Sequence, residues 1–204
     1  MRGHCRTEEN RLRKLTYFIA TSVDGFIGDP DGDGDFFYSH LDAEFVGYLA
    51  AEHPDTIARL GRDHLGVADV PLTRFDTVLM GRATYDVGFK QGDSNPYGHM
   101  RQYVVSRSLT TAPDPQVELI SGDVAARVRE LKAEDGLGIW LCGGADLAGQ
   151  LIDEIDEFIV KTYPVFLGTG MPMSRAGFGL RPLELTGSKV LGGGQTVTSY
   201  AVKR

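Results

Sequence analysis

The chain is poor in cysteine, with two in 204 residues. Cys5 lies in a polar leader and Cys142 closes an apolar run, so neither a disulfide framework nor a zinc spacing is present. No bridge between them is expected, and the scarcity fits a reducing cytoplasm. No apolar run reaches eighteen residues, so no segment is expected to span a membrane. Basic excess is missing too: 21 Lys and Arg against 28 Asp and Glu leave a net charge of −7. That balance argues against a nucleic-acid surface, which needs a clustered basic face, and gives no attraction to anionic lipid. The leader MRGHCRTEENRLR lacks an apolar signal core. Residues 1–12 read as a frayed extension, followed by one domain over 13–204.

Several chemical signatures are also missing. There is no G-x-G-x-x-G fingerprint and no Walker loop, no HExxH and no GxSxG. His4, His40, His53, His64 and His99 are scattered, and none is singled out as catalytic. Asp24, Asp29, Asp31, Asp33 and Asp35 resemble a calcium loop only superficially. An EF-hand loop closes on a Glu at its twelfth position, and counting from Asp24 that position is Asp35. They are read as solvated loop carboxylates, and no metal site is expected.

What is present is the composition of a globular domain, 42% hydrophobic and 24% charged. KLTYFIATSV (14–23), FDTVLMG, RQYVVSR (101–107), VELIS, GIWLCGG and IDEFIVKTYPVFLG (155–168) read as strands, the last a long one. Apolar spacing predicts helices over 41–53, 122–135 and ADLAGQLIDE, with a shorter one near DTIARLGRDHLG interrupted by Gly61. The tail folds back around Gly192–Gly194 as a hairpin. Strands alternating with helices predict an α/β domain. Its central sheet is mixed but mostly parallel, flanked by helices and closed by a C-terminal antiparallel hairpin.

Two strand-to-helix junctions carry glycine, LMGRATY and WLCGGADL. Ligands of open α/β sheets bind at the carboxyl ends of strands, so both junctions would face one crevice. Gly81 ends one strand, and Arg82 and Thr84 offer donors in the first helical turn beyond it, a ready anion site. Gly143 and Gly144 let a phosphate approach the backbone without a Cβ in the way. The N–H groups of Ala145, Asp146 and Leu147 begin the next helix, with Asp146 a candidate cap.

In order along the chain, IATSVDGFIG, VLMGRATYDVG, YVVSRSL, IWLCGGADLAGQLI and DEFIVKTYPVFLGTGMPM resemble the dihydrofolate reductase-like superfamily. The resemblance is to the branch containing the reductase domain of the bacterial riboflavin-biosynthesis deaminase-reductase, and it covers roughly 14–203. It implies an NADPH-dependent reductase with a cis peptide between the two glycines. It also implies cofactor contacts. Ala20 and Ile27 would lie at the nicotinamide, and Gly81, Arg82 and Thr84 at the phosphates and adenosine. Ser106 and Arg107 would lie near the 2′-phosphate, and Gly143 to Leu147 beneath the pyrophosphate.

The chain departs from folate reductases in lacking Leu-Pro-Trp and an unambiguous helix carboxylate. Asp42 or Glu44 are the candidates to reach a substrate pocket, with Phe36, Phe37 and Phe45 as an apolar wall. Tyr85, Lys161 and Tyr163 are further pocket groups, and Asp24 is the candidate proton donor. Ser174 stands in GMPMSRAG where relatives often carry an aromatic. The expected activity is hydride transfer to a small, heterocyclic substrate. Two rivals stand beside it: a pyrimidine reductase of riboflavin synthesis, and a non-catalytic nucleotide-binding or ligand-sensing protein. Apolar surface on the long strand and closing hairpin, with the habit of relatives, predicts a homodimer.

Overall fold

Strands covered on both faces read as continuous apolar runs, and LTYFIAT does so. It forms β1 (Leu15–Thr21) in the middle of an eight-stranded sheet. The computed structural model describes residues 12–204. The reading of 1–12 as a frayed extension, and the state of Cys5, therefore lie outside the described residues, Leu12 excepted.

The sheet has the order β5-β4-β3-β6-β1-β7-β10-β9. Its members are β3 (Phe75–Gly81), β4 (Arg101–Val105), β5 (Val117–Ile120), β6 (Gly138–Gly143), β7 (Glu157–Thr162), β9 (Leu183–Val190) and β10 (Thr196–Val202). The six strands from β5 to β7 run parallel, and β10 and β9 close the edge antiparallel. A separate pair, β2 (Phe26–Gly28) with β8 (Met171–Pro172), was not foreseen. It joins the loop after β1 to the segment after β7.

Helices α4 (Val124–Ala133) and α5 (Ala145–Gln150) cover one face. There Val128, Leu131, Ala148 and Leu151 pack on Leu15, Tyr17, Leu79 and Leu141. The other face meets α1 (Ala43–Glu52) and α3 (Arg82–Lys90), where Phe45 and Tyr85 join Phe18, Val78, Met80 and Trp140. Each of these large side chains, if left exposed, would forfeit about 1.5–3 kcal/mol.

Several predicted boundaries shift. Helix α1 starts at Ala43 because the Asp42 side chain accepts from Phe45 N at 2.8 Å and caps it. Asp123 caps α4 in the same way, moving its start to Val124. The short helix α2 (Arg59–His64) contains Gly61 without interruption. The long strand expected over 155–168 is a correction: β7 stops at Thr162. Pro164 cannot donate to a ladder, and the chain instead turns, with Val165 N donating to Tyr163 O.

Candidate functional site

Strands β3 and β6 are neighbours, with Met80 level with Gly143. Their glycine junctions therefore meet at one edge of the sheet, as the crevice argument expected. The Gly143–Gly144 peptide is cis. Gly143 has φ +133, which L side chains rarely adopt, so glycine is required there. A Cβ on Gly81 would stand 3.4 Å from Gly143 O, and one on Gly143 or Gly144 would stand 3.7 Å from Thr84 Oγ1. Three glycines, Gly143 buried and Gly81 and Gly144 half-buried, thus meet beside one hydroxyl with no side chain between them.

Helix α3 starts on Gly81 with no side-chain cap. Its first-turn N–H groups are left to another acceptor. Arg82 sits at that turn, but its Nε binds both carboxylate oxygens of Asp86, at 2.6 and 2.7 Å. Arg107 follows β4 on the next strand, is exposed, and forms no ion pair among the described residues. Ser106 is buried, and its Oγ accepts from the N–H groups of Ser108 and Leu109, shaping the turn that carries Arg107. Ala145 and Leu147 are buried in the sheet face behind the glycines. Asp146 does not cap α5, whose cap position is Gly144; it faces Arg175 at 3.3 Å instead. That expectation is corrected, because Asp146 lies inside the first turn, two residues past the cap position.

Beyond this cradle, the face shared by α1 carries a second group of side chains. Ala20 is level with Lys161 on neighbouring strands, and Phe18 points the same way two residues earlier. The Lys161 ammonium lies 4.4 Å from the centre of the Phe18 ring, a cation–π contact. Phe37 stacks on Tyr163 at 4.7 Å, Phe36 on Phe37 at 4.5 Å, and Phe45 meets Tyr163 edge-on at 5.4 Å. The three phenylalanines read from the sequence as an apolar wall pack together around Tyr163, with Phe37 and Phe45 buried.

Lys161 is partly buried, and its ammonium has no hydrogen bond or ion pair among the described residues. Desolvation lowers its pKa to about 8, partly offset by the Cys142 thiol. Burial pushes that thiol up to about 12, against the pull of Lys161 and a hydrogen bond with Tyr97. His53 is buried against Phe18 with ring centres 4.8 Å apart. Burial, then Arg74 and Lys161, bring it down to about 4, so it is neutral at pH 7. Burial likewise raises the Tyr163 hydroxyl above its ordinary value, followed by the influence of Tyr38.

The sequence reading passed over Phe18, His53, Tyr97 and Cys142. Phe18 and Cys142 read as core in apolar runs, His53 as the end of a surface helix, and Tyr97 as part of a loop. Only strand register, which sets Cys142 beside the level of Phe18, gathers them.

Four proposed pocket residues belong elsewhere. The Asp24 carboxylate accepts from Ser22 Oγ at 2.7 Å and from the N–H groups of Leu167 and Gly168 at 3.2 and 2.7 Å. Desolvation pulls its pKa up, but these bonds outweigh it and hold the group below the ordinary value. An ionised acceptor already engaged three times ties two loops together and is no proton donor. Asp42 caps α1, and Glu44 accepts from Gly192 N at 2.9 Å, anchoring the hairpin turn. Tyr85 is buried with its hydroxyl on Ser94 O at 2.6 Å, away from Lys161.

Ile27 lies in β2, on the loop leaving β1. The aspartates of that loop bond within it: Asp29 accepts from the N–H groups of Asp31 and Asp33, and Asp33 from that of Asp35. No metal-holding group of His, Cys, Asp or Glu occurs among the described residues. Two cavities lie apart from the cradle, one of 290 Å³ beside Arg59, Asp93 and Asn95, and one of 420 Å³ at the amino ends of β1, β3 and β6.

Comparison with known proteins agrees with this architecture. The uncharacterized protein YwjB of Bacillus subtilis (strain 168) is 34% identical over 182 residues, covering 88% of this chain and 93% of its own. A structure from Shewanella sp. PV-4, whose name assigns it provisionally to riboflavin biosynthesis, superposes with a TM-score of 0.69 at 25% identity. It covers 94% of this chain and 99% of its own. Dihydrofolate reductase from Enterococcus faecalis, solved with NADP(H), shares the fold at a TM-score of 0.58 and 14% identity, over 94% of this chain and 97% of its own. The family model described as RibD C-terminal domain matches residues 13–197. With nearly the whole described chain inside that match, the protein belongs to the RibD C-terminal domain family.

Proposed function

We propose that the protein is an NADPH-dependent reductase that transfers a hydride to a small, planar heterocyclic substrate in the cytoplasm. The observation that carries this reading is the bare backbone where Gly81, Gly143 and Gly144 converge on Thr84. It abuts a face on which aromatic walls and one ammonium stand together.

A nicotinamide dinucleotide fits these residues. The glycines admit a pyrophosphate to within hydrogen-bonding distance of the backbone. The uncapped first turn of α3 and the Arg82 and Arg107 guanidinium groups favour its negative charges. Ser106 holds the turn that presents Arg107, while Ala20 and Ile27 border the ring end. The bound cofactor supplies the hydride. The chain's own work is to orient the acceptor ring, exclude water and return a proton.

Phe37 and Tyr163 pack together behind the face a flat ring would meet, and Lys161, over the Phe18 ring, is the charged donor on that face. Asp24 fixes the 167–168 loop that borders the same end of β1. The narrower reading, a pyrimidine reductase of riboflavin biosynthesis, draws on the family and on the name of the Shewanella relative.

Gly144→Val tests the cradle. Its branched side chain would occupy the space beside Thr84 that the backbone now leaves free. Fluorescence titration should show NADPH binding by the wild type and its loss in a folded variant. A folded Gly144→Val that binds NADPH normally would move the cradle elsewhere.

A further inference from the structure

A lone ammonium in an aromatic setting is costly unless something comes to it. Lys161 projects onto the face of Phe18 from the strand beside Ala20. The groups that face it are the Cys142 thiol from β6 and the neutral His53 ring after α1. Neither carries a negative charge at pH 7, and Lys161 forms no ion pair among the described residues. The carboxylates nearest in sequence logic are engaged: Asp24 with the 167–168 loop, Asp42 with the start of α1, and Glu44 with Gly192. A desolvated charge left without a partner beside a cradle is a functional-site candidate.

The geometry points to Lys161 as the residue that sets the substrate class: a planar ring carrying an oxygen conjugated to the carbon that is reduced. This inference rests on the reductase reading. When hydride adds to the far carbon of a ring C=C conjugated with a carbonyl, the C=C pair shifts to a new double bond at the carbonyl carbon. The C=O π pair moves onto oxygen, and the enolate then takes its proton from the Lys161 ammonium or water. The resulting oxyanion is what an ammonium stabilises better than the starting carbonyl. Ring cations would meet an uncompensated like charge on an aromatic wall and be rejected.

The probe is 4-nitrophenolate, a planar oxyanion that absorbs visible light only when ionised, with benzamidine as a flat cation of similar size. Wild-type protein should bind 4-nitrophenolate and lower its apparent ionisation pH. Lys161→Met should bind it about 10- to 100-fold more weakly, the worth of a charge-assisted hydrogen bond. Benzamidine should not compete. In the wild type, affinity should fall as pH rises through about 8, where Lys161 loses its proton. That measurement needs no variant.

Equal binding by wild type and Lys161→Met overturns the inference, as does competition by benzamidine. Absence of 4-nitrophenolate binding at millimolar concentration, in protein that binds NADPH, overturns the substrate class and leaves the reductase reading standing. Protein that binds 4-nitrophenolate through Lys161 but not NADPH would keep Lys161 as an oxyanion site but sink the reductase reading, and the substrate class with it.

Discussion

Replacing Lys161 by methionine should stabilise the protein near neutral pH. Burying the ammonium lowers its pKa from 10.5 to about 8, a drop that corresponds to a folding cost of about 3 kcal/mol at ~1.4 kcal/mol per decade. Lys161 is only partly buried, and water reaching the ammonium screens it, so the measured gain should be about 1–2 kcal/mol. Methionine is close to the lysine stem in length and can pack on Phe18.

The sign of the pH dependence distinguishes this cause from ordinary repacking. Below about pH 8 Lys161 is charged in both the folded and unfolded states, and folding bears the whole desolvation cost. Between about 8 and 10.5 the folded lysine is neutral while the unfolded one still holds its proton. At Lys161 the unfolded state then binds more protons, and this residue's contribution to wild-type stability rises with pH. The advantage of Lys161→Met should therefore be largest at pH 7 and shrink toward pH 10.5. His53, down to about 4, stays neutral in the folded state across that window. Cys142, up to about 12, stays a thiol there while its unfolded counterpart ionises near 9, a loss common to both proteins that drops out of the comparison. Urea denaturation of both proteins at pH 7 and pH 9.5 gives the comparison directly. A stability difference that is the same at both pH values, or a variant weaker than wild type at pH 7, would refute the reasoning.

Cofactor choice should favour NADPH over NADH. Arg107→Ala should reduce that preference about 10- to 100-fold, more than Arg82→Ala, since Arg82 is already held by Asp86; equal affinity of the wild type for both cofactors would reject the 2′-phosphate contact. Dihydrofolate should be turned over very slowly or not at all, because pterin recognition needs a carboxylate and both candidates are engaged. Asp42 caps α1 and Glu44 holds Gly192. Efficient loss of NADPH absorbance with dihydrofolate, abolished by Glu44→Gln, would show the opposite. The chain should form a homodimer, since the edge strand β9 is exposed along almost its whole length and carries Leu183, Leu185 and Val190 outward. Light scattering that returned a single chain's mass at micromolar concentration would exclude it.

Features that depend on neighbours along the chain could be read from the sequence alone. Apolar runs ending in glycine marked β3 and β6 and their junctions, because strand burial and glycine's backbone freedom are local properties. Helical spacing placed α1 and α4 for the same reason, missing only the caps that Asp42 and Asp123 provide. Tertiary structure decided the work of individual side chains. Asp24, Asp42 and Glu44 looked like pocket acids because a carboxylate in a loop or first turn carries no mark of its partner. Their partners, Gly168, Phe45 and Gly192, include two more than a hundred residues away. Tyr85 turned into the core for a similar reason: burial depends on which face of α3 meets the sheet. Lys161 acquired its setting only when the parallel register placed it beside Ala20 and brought Phe18, Cys142 and His53 around it. Periodicity says which residues share a strand face, but only the pairing of strands says what that face encloses.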